Sequence, residues 1–386
     1  MTDFARPVVA FHGSRDPEGP LVVLLHGRGS HEQEIIGLAP HLPAGATYAA
    51  VRAPIAEGGG YAWFANRGIG RPVAESLAET MAWFRAWLDE VAPTGRPVLL
   101  AGFSGGAAFA GGLVLADPQR FAGAAILYGT LPFDAGVPLG ASRLANLPVF
   151  LAQGDTDQVI PRELLDRTWT YLLTESGAPT EAHRDPGGHG ITAASLQRLA
   201  EWMRTRLEWL SSHGSTPAVS EAGWPHLAGA RLPHRPGPRP DVTWSIPQSQ
   251  QTDIAPADLQ EELLTRLSAL PRVDSGPSRI SVPGARGLTL PDGSGPDEAY
   301  LVPEVREFAH LHPAYDGSLH LALPTDQATD VVAKGWGTPH PWAGSRLTPG
   351  FTMVFGPRDP AELDIVAGIV EASHAYASGA SAPSRP

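Results

Sequence analysis

Cysteine is absent from all 386 residues. That removes disulfides, thiolate metal sites and a cysteine nucleophile together. Basic residues are in deficit: 28 Lys and Arg stand against 40 Asp and Glu, a formal net charge of -12. A surface for nucleic acid or an anionic membrane needs a basic patch, so neither partner is expected. No uninterrupted apolar run approaches the ~18 residues of a membrane-spanning helix. The opening MTDFARPVVAFHGSRD has no charged region followed by an apolar one, so no secretory signal is read there. A cytoplasmic location is the resulting expectation. What is present is 42% hydrophobic and 18% charged, a globular composition with ample core material. The length suggests two or three domains.

Residues 1–212 read as one domain in which short apolar runs alternate with longer helical stretches. Leu21–Leu25, Thr47–Val51, Val98–Ala101, Ala124–Tyr128 and Val149–Ala152 are expected as buried strands. The spacing predicts helices over 74–92, 105–116, 161–176 and 193–211; in the first, Leu77, Met81, Phe84 and Leu88 share a face. Strands that are apolar throughout, separated by helices, indicate a parallel sheet covered on both faces. Residues 213–252 are rich in Pro, Gly and Ser without sustained periodicity and read as a linker. Residues 253–378 read as a smaller α+β domain, with helices near 254–269 and 360–376 and strands at Arg279–Val282 and Ser318–Leu323. The tail 379–386 is expected to be disordered.

Gly102-Phe103-Ser104-Gly105-Gly106 fits G-x-S-x-G where strand gives way to helix. A serine on such a turn is lifted above the sheet, and its neighbours must lack bulk to permit the bend. The following helix N-terminus aims free N–H groups at charge developing beside the serine. His26-Gly27-Arg28-Gly29 follows the first strong strand and can add a second N–H, from Arg28, to that of Gly105 as an oxyanion hole. Each such donor is worth about 3 kcal/mol. An acidic loop, Asp155-Thr156-Asp157, follows the strand ending at Ala152, and His189 sits in the glycine loop Gly187–Gly190. Ser104, Asp157, His189 is the chain order of an α/β-hydrolase triad; Asp155 is an alternative orienting acid. Trp63 and Phe64 could wall an acyl pocket or be core aromatics.

These pieces, LLHGRG, RAPIAEGGGYAWF, AGFSGGAA, GDTDQVIP and GGHGI, resemble the phospholipase/carboxylesterase branch of the α/β-hydrolases, which includes acyl-protein-thioesterase-like enzymes. The resemblance covers about residues 20–210. It implies an α/β fold, the α/β-hydrolase doubly wound parallel sheet, with Ser104 as nucleophile, His189 as base and Asp157, rather than Asp155, as the acid. It implies a serine hydrolase of carboxylic esters or thioesters, with a small acyl ester as substrate and no cofactor. The best-known members carry Gln after the nucleophile, where this chain has Gly105, so their substrate specificity does not transfer. A thioesterase or acyltransferase reaction on the same triad is an alternative.

The second domain poses a different question. Alternation puts Phe308, His310 and His312 on one strand face, and the Asp316-Gly317 turn brings His320 back beside them. His340 adds a fourth imidazole. Clustered imidazoles are common ingredients of metal sites, but a polar strand face whose histidines are satisfied by hydrogen bonds, or a ligand-binding face, is the reading preferred from sequence. No metal is assigned; His310, His312 and His320 are the candidates. A third reading of the whole chain makes the first domain a binding scaffold and puts the chemistry at this face. EFAHLHP, DGSLHLALP, KGWGTPHPWAG and MVFGPRDPAEL resemble a small bacterial family labelled "luciferase domain". No nucleotide or flavin signature accompanies it.

Overall fold

The computed structural model describes residues 4–213 and 222–379. They fall into two compact units, residues 1–217 and 218–386. The boundary lies in a stretch outside the described residues, and so does the tail 379–386 expected to be disordered, apart from Gly379.

The first unit is built on a seven-stranded sheet. Its strands are β1 (Val9–Gly13), β2 (Leu21–Leu25), β3 (Thr47–Val51), β4 (Val98–Phe103), β5 (Gly123–Leu127), β6 (Val149–Gly154) and β7 (Thr180–Asp185). The spatial order is β1-β3-β2-β4-β5-β6-β7, parallel except for β1. Helices α1 (Ala74–Val91), α2 (Gly105–Ala116), α3 (Arg162–Thr170) and α4 (Ala193–His213) connect or follow the strands. Two buried clusters explain why the inner strands are apolar at every position. Val23, Leu25 and Leu100 pack with Phe84 of α1 and Phe109 of α2, whereas Val22, Leu24 and Leu99 pack with Trp202 and Met203 of α4. The sheet is therefore covered on both faces, as a doubly wound fold requires.

Two strands of this seven-stranded sheet were not expected. β1 is an antiparallel edge strand whose last three residues are exposed. β7 reads THR-GLU-ALA-HIS-ARG-ASP and buries only Thr180, Ala182 and Asp185, as an edge strand can. The helix expected over 161–176 is α-helical only to Thr170 and continues as a π-helical turn.

The second unit comprises α5 (Ala257–Ser268), β8 (Asp274–Pro277), β9 (Arg286–Thr289), β10 (Glu307–Leu311), β11 (Leu319–Ala322), α6 (Thr325–Ala333), β12 (Gly337–Pro339), β13 (Phe351–Val354) and α7 (Pro360–Ala377). Its antiparallel sheet has the order β8-β9-β10-β11-β13-β12. Leu263 and Leu267 of α5 and Val366, Ile369 and Val370 of α7 pack with Leu311, Leu321 and Val354 of the sheet in one buried core.

Three sequence expectations change here. Residues 222–252 are not a free linker: Trp224 and Leu232 are buried in the second core, and the Trp224 indole N–H donates to Asp330 at 2.8 Å. Missing periodicity signalled irregular backbone, not missing packing. Arg279–Val282 is a loop rather than a strand. The Arg279 N–H goes to the Glu307 carboxylate, and those of Ile280 and Ser281 go to Ser278 Oγ, so these donors are not available to a ladder. Phe308 does not share the face of His310. The β9–β10 register pairs Leu288 with Ala309 and then Thr289 with Glu307, a bulge that skips Phe308. The Phe308 ring contacts His374 of α7, and Glu307 joins the histidines instead.

Candidate active site

One residue, Ser104, separates the end of β4 from the start of α2. The turn forces it to φ 55° and ψ -114°, a strained conformation costing about 1–3 kcal/mol. Two glycines admit the bend. A Cβ on Gly102 would lie 2.1 Å from the Gly106 carbonyl oxygen, and one on Gly106 would lie 2.2 Å from that of Leu25. Gly105 is less crowded, its Cβ position being 3.3 Å from the Arg28 nitrogen.

Loops after β6 and β7 bring two more side chains to Ser104. His189 Nε2 lies 2.9 Å from Ser104 Oγ, and His189 Nδ1 lies 2.8 Å from Asp157 Oδ2. The other oxygen, Asp157 Oδ1, accepts the N–H groups of Val159 and Ile160 at 2.8 and 3.1 Å. The Asp157 side chain is fully buried, and that of His189 is 15% exposed. Asp155, the alternative acid, is exposed. A carboxylate so held directs Nδ1–H toward itself, which leaves the Nε2 lone pair for the serine hydroxyl.

The His189 loop rests on a group that no motif announced. Asp185, at the end of β7, is buried; it accepts the Gly187 N–H at 2.8 Å, Ser195 Oγ at 2.8 Å and the Tyr128 hydroxyl. Burial alone would raise the Asp185 pKa, but these hydrogen bonds and one from Thr192 outweigh it and hold it below the usual carboxylate value.

The loop after β2 is braced from beneath. His26 Nε2 accepts the Ala53 N–H at 3.1 Å, so Nδ1 donates to the Gly27 carbonyl at 2.7 Å. Burial lowers the His26 pKa and favours this neutral form. Gly29 N–H donates to the Tyr61 carbonyl and Tyr61 N–H to that of Ser30, at 2.9 and 3.0 Å. A Cβ on Gly60 would lie 1.9 Å from the Gly29 carbonyl oxygen, so the glycine-rich segment before Tyr61 serves this close approach. The Arg28 guanidinium is paired with Glu57. Among the described residues, the backbone N–H groups of Arg28 and Gly105 meet no backbone acceptor.

A 600 Å³ cavity is lined by Ser104, His189, Arg28 and Gly105, with apolar walls from Ile35, Leu38, Phe64, Ile69, Ile160 and Ile191. Trp63 and Phe64 therefore part company. Phe64 lines the cavity. Trp63 does not: it is buried, stacks on Phe109 with centroids 4.5 Å apart, and donates its indole N–H to the His26 carbonyl at 2.8 Å. Its place is in the core, supporting the loop.

Residues 8–207 match the Phospholipase/Carboxylesterase family. The chain belongs to that family. Its first unit is thus a carboxylesterase-type hydrolase domain, and residues 305–373 of the second match the Luciferase domain. The carboxylesterase-type unit is similar to "Putative hydrolase MhqD" of Bacillus subtilis, 28% identical over 189 residues that cover 48% of this chain and 92% of that protein. A solved Bacillus cereus carboxylesterase aligns at 25% identity with a TM-score of 0.47, covering 52% of this chain and 94% of that one. The second unit is similar to a luciferase of Armillaria ostoyae, 34% identical over 168 residues. That match covers 38% of this chain and 60% of that protein's length. No helix among the described residues is long and apolar enough to cross a membrane.

The remaining candidates lie in the second unit. His310 and His320 pair directly across β10 and β11, and His312 joins them; all three are buried. His340 lies outside this convergence: its Nδ1 accepts the Trp342 N–H at 3.2 Å, and its ring stacks on Phe351. Burial, followed by repulsion from His310 and His312, lowers its pKa to about 3.

Proposed function

We propose that the first unit hydrolyses carboxylic esters through an acyl-enzyme on Ser104. The observation that carries this reading is the unbroken hydrogen-bonded chain from Ser104 Oγ through His189 to the buried Asp157. His189 Nε2 takes the hydroxyl proton as Oγ bonds to the acyl carbon, and the carbonyl electrons move onto its oxygen. The N–H groups of Arg28 and Gly105 stabilise that oxyanion. When it collapses, the acyl–oxygen bond to the leaving group breaks, and His189 returns the proton to the departing alkoxide. Water then repeats the sequence on the acyl-serine, releasing the acid and restoring Ser104. Asp157 holds the imidazole in its tautomer and stabilises the imidazolium. A thioester presents the same carbonyl to the same groups. Hydrolysis of a chain-length series of p-nitrophenyl esters tests the proposal; a folded protein inactive on every member would overturn it.

The apolar cavity wall favours an acyl chain over a charged one. Phe64→Ala should change kcat/KM for long acyl esters relative to acetate by roughly 10-fold. An unchanged ratio would remove Phe64 from the acyl pocket.

We also propose that residues 1–213 act as an independent hydrolase. Every residue of the clusters that cover its sheet lies at or before Leu210. A chain ending at residue 213 should be folded and retain esterase kcat within a few-fold; an aggregated product would show that the units fold as one.

A further inference from the structure

On the second sheet, the bulge at Phe308 does more than bury a phenylalanine. It shifts Glu307 onto the same face as His310, and Glu307 Oε1 then lies 3.0 Å from His310 Nδ1. This carboxylate also accepts from Ser278 Oγ at 2.6 Å and from the Arg279 N–H at 2.8 Å, so it is held as an acceptor. His312 Nδ1 lies 2.7 Å from Asp316 Oδ2, and Asp316 Oδ1 accepts the N–H groups of Ser318 and Gln250. His320 Nε2 lies 3.0 Å from Gln248 Oε1. The Gln248 amide is oriented by its other end, which donates to the Pro339 carbonyl at 3.2 Å. Gln248 comes from the very stretch that reads as a linker.

Each imidazole thus has one nitrogen facing an oxygen acceptor, and that nitrogen must carry the ring's proton. The other three nitrogens are left with lone pairs. They are His310 Nε2, His312 Nε2 and His320 Nδ1, and they face one another: His320 Nδ1 lies 3.2 Å from His310 Nε2 and 3.1 Å from His312 Nε2. Three inward lone pairs with no hydrogen between them repel, unless a cation sits among them. An N–H placed between any two would turn a ring lone pair toward an oxygen of Glu307, Asp316 or Gln248 in a buried site, and the lost hydrogen bond costs about 1–3 kcal/mol. A doubly protonated ring would bury a full positive charge beside the other two imidazoles.

We propose that His310, His312 and His320 form a binding site for one divalent first-row transition metal ion. Neutral imidazoles are suited to Zn, Fe, Ni and Cu ions. With bonds of ~2.1 Å, ligand nitrogens stand ~3.0 Å apart at octahedral angles and ~3.4 Å apart at tetrahedral ones. The two separations of 3.1 and 3.2 Å lie in that interval. The outer oxygens are the partners that metal-bound histidines ordinarily have, fixing tautomer and ring orientation. Three ligands leave the coordination sphere incomplete, and all three histidines line a 250 Å³ cavity walled by Ile246, Val282, Trp342 and Phe351. That cavity is the space for a water or a small ligand on the ion.

The experiment is a metal titration of the tag-free, full-length chain after stripping with a chelator. Added Co2+ should give visible ligand-field bands that saturate at one ion per chain, and one Zn2+ per chain should survive desalting. His312→Ala and His320→Ala should lose both signals. Because either change could unfold the sheet, Glu307→Gln and Asp316→Asn provide the second arm: each should weaken binding by about 10–100-fold. Absence of bands and of retained metal in folded wild type would overturn the site and leave a proton-bridged cluster. Metal retained equally by all the variants would place the ion elsewhere and overturn it as well.

Discussion

Ser104→Ala is expected to lower kcat for p-nitrophenyl ester hydrolysis by about 10⁶-fold. On the proposed mechanism this removes the nucleophile, and neither His189 nor the proposed oxyanion donors can replace the covalent step. The fold should be unaffected, because alanine keeps the Cβ and therefore the same strained φ of 55° at the elbow. The Ser104 N–H bond to the Leu127 carbonyl, at 2.9 Å, is a backbone contact and also survives. Unchanged circular dichroism and melting temperature beside the lost activity would separate chemistry from folding. Residual activity above about 1% of wild type in a contaminant-free preparation would assign the nucleophile elsewhere.

Asp157→Asn should cost about 10⁴-fold in kcat. The substitution preserves shape, but an amide can present its NH2 to His189 and favour the tautomer whose Nε2 carries the proton. That tautomer cannot take the Ser104 proton. The Val159 and Ile160 N–H groups, which Asp157 Oδ1 accepts, would compete for the amide oxygen and strengthen this orientation. Asp155→Asn, two residues away and exposed, should leave kcat within about 2-fold. Equal losses in both variants would mean that the loop, not the carboxylate, is what matters.

The first unit was legible because its information is local. All-apolar strands reveal a sheet covered twice, and the small residues around Ser104 mark a bend at which Gly102 and Gly106 have no room for a Cβ. The edge strand β7 was not legible, since Thr180, Ala182 and Asp185 are its only buried side chains among polar neighbours. Asp185 itself supports the His189 loop through Tyr128 and Ser195, partners 57 and 10 residues distant, a separation at which no motif operates. Trp63 and Phe64 are adjacent, yet one is core and the other lines the cavity; that division depends on the side of the chain taken by Phe109 and His26.

In the second unit, alternation along each strand places His310 and His312 on one face, but the register that sets His320 opposite His310 comes from a five-residue loop closed on the Pro313 carbonyl, not from a two-residue Asp-Gly turn. Alternation failed at Phe308, where a bulge inserts one residue and moves Glu307 to the histidine face. The stretch 213–252 misled for a related reason. Its buried members, including Trp224, Leu232, Arg235, Gln248 and Gln250, are spaced without period because they follow an irregular path over a core made by other elements.

The most direct test of the account is covalent labelling of the full-length wild type with a fluorophosphonate, read by intact mass and peptide mapping. Attack by Oγ expels fluoride and leaves a stable phosphonyl-serine. One label per chain is expected on the peptide carrying Ser104, with loss of esterase activity in proportion to labelling and no label on Ser104→Ala. An active enzyme that takes no label, or takes it at another residue, would contradict it.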